Sequence, residues 1–207
     1  MSLIDNYKNR GDTLVEVLFS TAVFSLVAVG CLSIMNQGTA TAERALEIAL
    51  VRKEIDAQAE TLRFLNASFI AAYTEGVSNY PGTPADEWHL IQAEAPTEAT
   101  ISDLSNCNPI LNPNSFVLNT RTAKFVPPTG AGRPSLAKTF SQVTYDALSN
   151  NVLSVEGIWI EAVTVSPGGA DQGNADYLDF HIRACWDGPG QSIPVTLGTI
   201  VRLYEPR

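Results

Sequence analysis

Three residues near the start of the chain, Gly11, Asp12 and Glu16, have types and a spacing that point to chemistry. Gly11 is a small-residue junction that lies before an apolar run, with Lys8 and Arg10 just upstream. A cut there removes an 11-residue polar leader, frees an amine on Asp12 and leaves the apolar run in the mature chain. A secretory signal peptide has the opposite order and loses its apolar run. Glu16 is the last acid before that run, a carboxylate at the threshold of a segment that avoids charge. Two further sets lie downstream. Cys107 and Cys185 can be joined by oxidation, and the Gly-rich stretch 167–179 carries Asp171, Asn174, Asp176 and Asp179, hard oxygen ligands of the sort Ca²⁺ takes.

A long helix must position Glu16. From Val17 to Ala42 there is no ionisable acid or base, and Val17 to Met35 supplies 19 mainly apolar residues. About 20 suffice to cross a hydrocarbon core of ~30 Å. Lys8 and Arg10 give this span the positive flank expected on the cytoplasmic side. An acid at the centre of such a span costs about 2.5 to 3.5 kcal/mol, less near its end, and usually has a partner. The helix is expected to continue beyond the bilayer. Thr39 to Leu65 has no Pro, is rich in Ala, Leu, Glu and Arg, and contains the potential i,i+4 pair Arg52 and Asp56. Ile48, Val51, Ile55, Gln58, Leu62, Leu65 and Phe69 recur at steps of three and four, on one face. One helix from Asp12 to Leu65, 54 residues, would span roughly 80 Å. Its outer half therefore needs a surface against which to bury that stripe.

Gly-X-Thr-Leu-X-Glu at Gly11 to Glu16, followed by about twenty apolar residues, resembles the N-terminal signature of type IV pilins and type II secretion pseudopilins. The resemblance covers residues 8 to 40, about a sixth of the chain. It implies that Gly11 precedes the prepilin-peptidase cut, that Asp12 is the new and N-methylated first residue, and that Glu16 is the acid at mature position five. Where the family usually has Phe, this chain has Asp12. In the family the acid pairs with the N-terminal amine of the neighbouring subunit, which sets axial register as a filament grows. Part of the helix also loses regular structure on assembly in related filaments. With no Pro before Pro81, Gly30, Ser33 and Gly38 are the weak points for such melting.

Strand patterns gather in the second half. Ser115 to Thr120 alternates, Val143 to Tyr145 is short and β-prone, and Gly157 to Val165 is rich in Ile, Trp, Val and Thr. Tyr177 to Trp186 is clearest: Leu178, Phe180, Ile182, Ala184 and Trp186 share one face, and Asp179, His181, Arg183 and Cys185 the other. The turn Asp187-Gly188-Pro189-Gly190 leads to Thr196 to Tyr204, its expected hairpin partner. Ala85 to Pro113 is expected to hold loops and short elements. The fold class is α+β, with a one-sided helix packed on an antiparallel sheet that has one apolar face. Its divisions are a leader at 1–11, a membrane or filament-core half-helix at 12–38, an amphipathic half-helix at 39–72 and an extracellular head at 73–207.

In an exported head disulfides are permitted, and Cys185 falls on the polar face of its strand, where a covering loop can present Cys107. A Cys107–Cys185 bridge is expected, the alternative being two unpaired thiols. Cys31, in the apolar run, reads as a small buried side chain.

Catalytic signatures are missing: there is no Gly-X-Ser-X-Gly, His-Glu-X-X-His, Gly-X4-Gly-Lys or Cys-X-X-Cys. His89 and His181 are expected to be satisfied or solvent-facing. No metal or other cofactor is expected, and the 167–179 stretch reads as a solvated loop with calcium as the alternative. The net charge of −9, one unit more negative without the leader, disfavours direct nucleic-acid binding, which relies on Lys and Arg.

The chain is therefore expected to be a non-enzymatic major or minor pilin subunit of a type IV pilus or related pseudopilus. Its expected partners are the prepilin peptidase, the assembly platform, the cytoplasmic membrane and other pilins. It would begin as a single-pass precursor with its N-terminus inside and end in a surface filament. A membrane-anchored extracellular binding or adhesion module that never polymerises is the alternative.

Overall fold

The computed structural model describes residues 10–74, 80–94, 107, 115–165 and 177–204, with the side chains of residues 10–12 and 164–165 outside the description. The chain divides into two compact units, Met1–Ala45 and Leu46–Arg207. A single helix, α1 (Arg10–Ala72), contributes to both.

In the first unit α1 is apolar on all sides and exposed. Leu18, Phe19, Phe24, Leu26, Ile34 and Met35 each keep more than 60% of their surface. The most apolar 18-residue window has a mean hydropathy of 2.3, with none of it buried, so α1 is long and apolar enough to cross a membrane. The helix runs unbroken through Gly30, Ser33 and Gly38. Cys31, expected to be buried, is exposed like its neighbours.

The second unit is α+β. Here α1 turns one face inward: Val51, Ile55, Gln58, Leu62, Leu65 and Phe69 are all buried, with Ile48 packed at the margin of the same core. The helix extends to Ala72 rather than ending at Leu65. Phe69, one turn beyond Leu65, stays on the buried face, and Ala67, Ala71 and Ala72 favour helix. A second helix, α2 (Pro84–Glu94), occupies ground expected to hold loops and short elements. It starts where a helix should, with Pro84 in its first turn and Asp86 and Glu87 next to it. Thr83 fixes the turn before it, its hydroxyl donating to the Tyr80 carbonyl at 2.7 Å.

Among the described residues eight strands form three sheets in place of the single sheet expected. β1 (Val117–Asn119) pairs with β2 (Lys124–Val126). β3 (Pro134–Ser135), β4 (Gln142–Tyr145) and β5 (Val152–Glu156) form a mixed sheet in which β3 runs parallel to β5. The largest sheet is antiparallel, with β6 (Ile158–Val165), β7 (Tyr177–Trp186) and β8 (Val195–Tyr204) in that order. The alternation of β7 survives intact: Leu178, Phe180, Ile182, Ala184 and Trp186 are buried in the same core as the α1 stripe and the α2 residues Ala85, Trp88 and Ile91. Trp88 meets Phe180 with ring centroids 5.6 Å apart.

Gly157 carries the chain from the mixed sheet to the large one. Its φ of +62° suits glycine, and an added Cβ would strike the Cys185 carbonyl and crowd Ala137 and Ser141. Its amide donates to Ser135 and its carbonyl accepts from Cys185, each at 2.8 Å, so one residue ties β3 to β7.

Candidate functional site

In the first unit the candidate residues follow one another on α1. Gly11 and Asp12 lie in its first turn, and their side chains are outside the description. Glu16 is exposed one turn later, among Val17, Ser20, Thr21 and Phe24. The hydroxyls that follow are satisfied within the helix. Thr21 donates to Leu18 at 2.9 Å and Ser25 to Thr21 at 2.8 Å, and further along Thr39 bonds Asn36 and Thr41 bonds Gln37. Such back-bonding lets Ser and Thr sit in an apolar medium without water. Glu16 accepts no hydrogen bond from the described residues. Its carboxylate is a strongly polar group at the start of an apolar run, with no partner among the described residues.

In the second unit Cys107 and Cys185 form a disulfide across 78 positions, with Cα atoms 5.4 Å apart. Both are buried against Trp159. The outer face of β6 is covered here, and it holds an acid that sequence patterns did not single out. Glu161 is 2% exposed and accepts a 2.7 Å hydrogen bond from the Trp159 indole. His181 stands opposite Glu161 in the β6–β7 register. Burial, then the Arg183 charge, lower its pKa against the opposing pull of Asp179 and Glu161.

The two histidines lie on different elements, His89 on α2 and His181 on β7. His89 packs among rings, edge-on to Phe69 at 5.0 Å and stacked on Tyr80 at 5.5 Å. Its Nε2 and the Trp88 Nε1 are buried without a hydrogen-bond partner among the described residues.

Of the four proposed calcium ligands, Asp171, Asn174 and Asp176 lie outside the described residues. Asp179 is engaged otherwise: Arg202 donates to its two carboxylate oxygens through Nε and Nη2, both at 2.8 Å, and also covers the Tyr177 ring at 4.1 Å. That fork holds the Asp179 carboxyl below the usual carboxylate range. Among the described residues no group of three or more His, Cys, Asp or Glu is placed to hold a metal ion.

The polar pins that hold the second half of α1 were not foreseen. The Gln58 side-chain amide donates to the Leu118 carbonyl at 2.9 Å and accepts from the Leu118 amide at 2.8 Å, acting as a one-residue strand beside β1. The Trp186 indole donates to Glu47 at 3.1 Å, and Asn66 donates to the Tyr204 carbonyl at 3.2 Å. A polar residue on an apolar stripe was the available signal for Gln58.

No family model matches the chain, and neither a curated protein nor a solved structure does.

Proposed function

We propose that this protein is a non-enzymatic subunit of a type IV pilus or related pseudopilus, assembled through its N-terminal helix. One observation carries the proposal: Gly11, Asp12 and Glu16 stand in the pilin-type spacing in the first turns of α1, directly before a run of the helix that is apolar and exposed. A plain anchor accounts for the exposed apolar surface. It gives no reason for a small-residue junction ahead of the apolar run or for an acid five residues after that junction.

In this account a prepilin peptidase cuts after Gly11, and the amine of Asp12 becomes the N-terminus and is methylated. The Glu16 carboxylate meets the Asp12 amine of a neighbouring subunit. That contact removes the cost of an unpartnered acid in the apolar medium and fixes the axial step between subunits. Apolar helices bundle in the filament core, and melting between Gly30 and Gly38 accommodates the packing. The assembly platform in the cytoplasmic membrane extracts each subunit, and the pilin-like α+β head with its disulfide faces the medium.

The test is Glu16→Ala expressed beside the wild type. The variant is expected to be processed normally yet be at least tenfold depleted from sheared surface filaments. Wild-type entry of Glu16→Ala into filaments would remove the role given to Glu16. A processed wild-type protein that never enters sheared filaments would favour the anchored binding module.

A further inference from the structure

Among the described residues no strand pairs with the outer edge of the large sheet. β8 is a terminal strand of ten residues, in continuous register with β7 from Tyr177↔Tyr204 to Trp186↔Val195. Natural edges are blunted by Pro, bulges, inward charges or a covering element. β8 has no Pro and no bulge, and its one charge, Arg202, is held by Asp179 on the neighbouring strand. Thr196, Gly198, Thr199, Ile200, Arg202 and Tyr204 are exposed, Ile200 by 61%.

The backbone groups on this edge can be placed. The Cys185 amide donates to Gly157, on the β6 side of β7. Thr196, opposite Cys185, is then in a non-hydrogen-bonded pair and turns its N–H and C=O to the free edge. Alternation gives the same direction to Gly198, Ile200 and Arg202. Tyr204 is next in the series, and its carbonyl accepts from Asn66 rather than from β7.

From this geometry we propose that β8 pairs antiparallel with β8 of a second copy of this chain, about a two-fold axis at Thr199, giving a continuous six-stranded sheet. The register is chosen by the strand's own sequence. With Thr199 opposite itself, Ile200 lies opposite Gly198, Arg202 opposite Thr196, Val201 opposite Leu197 and Leu203 opposite Val195. Gly198 is confined to glycine because a Cβ there would come within 2.9 Å of the Ile182 carbonyl. Its missing side chain leaves a groove of about 260 Å³ bordered by Thr196, Ile200, His181 and Arg183. The partner's Ile200 fits that groove, buries its exposed side chain and meets the aliphatic stem of Arg183. The apolar pairs fall together on the other face, and the two Arg202 side chains are kept apart. The ladder also ends itself: Tyr204 would meet Pro194, which has no N–H, and the Tyr204 carbonyl is already held by Asn66. Such a contact is isologous and closes on itself, so it is separate from the repeating contact a filament needs and does not depend on that function. Each copy carries a net charge of −9, so pairing should strengthen as salt screens the repulsion.

Thr199 is the diagnostic position, since a non-hydrogen-bonded pair brings Cβ atoms to about 4.5 to 5.5 Å. In full-length protein carrying Cys31→Ser, Thr199→Cys should form a disulfide-linked dimer at least tenfold faster than Leu148→Cys, placed on a turn where Leu148 is 94% exposed. Adding Ile200→Lys to Thr199→Cys should reduce the rate to that of the Leu148→Cys control. Equal rates at the two cysteine positions, insensitivity to Ile200→Lys, or linkage of Thr199→Cys only to other proteins would overturn the pairing.

Discussion

Gln58 occupies a position where a leucine would satisfy the helical stripe, and its amide completes the hydrogen bonding of Leu118 sixty residues away. Both sides of that contact are fully buried. Gln58→Leu is therefore expected to cost roughly 2 to 4 kcal/mol despite its greater apolarity, since it strands a buried N–H and a buried C=O together. Equilibrium denaturation of the full chain measures this, and a neutral or stabilising result would mean that water or backbone movement satisfies Leu118. Asp179 supplies a pH-dependent counterpart. Arg202 depresses its folded-state pKa, so its contribution is present above the unfolded value of about 4 and is lost as the pH falls through the folded one. The pair is partly exposed, so the effect should stay within ~1 kcal/mol. The gap in melting temperature between wild type and Asp179→Asn should be widest near neutral pH and close below about pH 4. A gap that is constant with pH would show that the ion pair is not its source. The stripe placed Gln58 correctly, yet nothing in the local sequence identified Leu118 as its partner. The Asp179–Arg202 pair likewise exists only once β7 and β8 are in register.

Among the elements, those with long periodic patterns were legible and the short ones were not. β7 alternates over ten residues, and the α1 stripe holds its spacing from Ile48 to Phe69, so each could be assigned before any contact was known. β2, β3 and the turn at Gly157 are brief, and their form comes from residues elsewhere in the chain. β3 gains its place by running parallel to β5, and Gly157 by standing between Ser135 and Cys185. α2 did carry start signals in Pro84, Asp86 and Glu87, but its buried residues Ala85, Trp88 and Ile91 are too few to stand out from the polar stretch around them. The disulfide was anticipated from the face that Cys185 occupies, while its burial against Trp159 was not. With Cys107 and Cys185 separated by 78 residues, the double substitution Cys107→Ser/Cys185→Ser should lower stability by about 2 to 5 kcal/mol. Denaturation with and without reductant tests this: reductant should shift the wild type towards the variant and leave the variant unchanged. A wild type insensitive to complete reduction would contradict it.

Across the protein, two kinds of surface coexist. One unit exposes an apolar helix without burying any of its most apolar window, and the other buries the continuation of the same helix in an α+β core. The first is stable in water only if something apolar surrounds it, a bilayer or other helices, and the proposed life cycle uses both in turn. The proposed assembly motif at Gly11 to Glu16 is local, so it is a reading of the sequence alone. The intact mass of the mature protein, recovered from cells that possess a prepilin peptidase, tests the proposed function at its first step. Loss of residues 1–11, an N-terminal methylated Asp12 and no processing of Gly11→Ala are expected. A wild-type protein that keeps residues 1–11, with the same mass whether or not the peptidase is present, would contradict the proposed function.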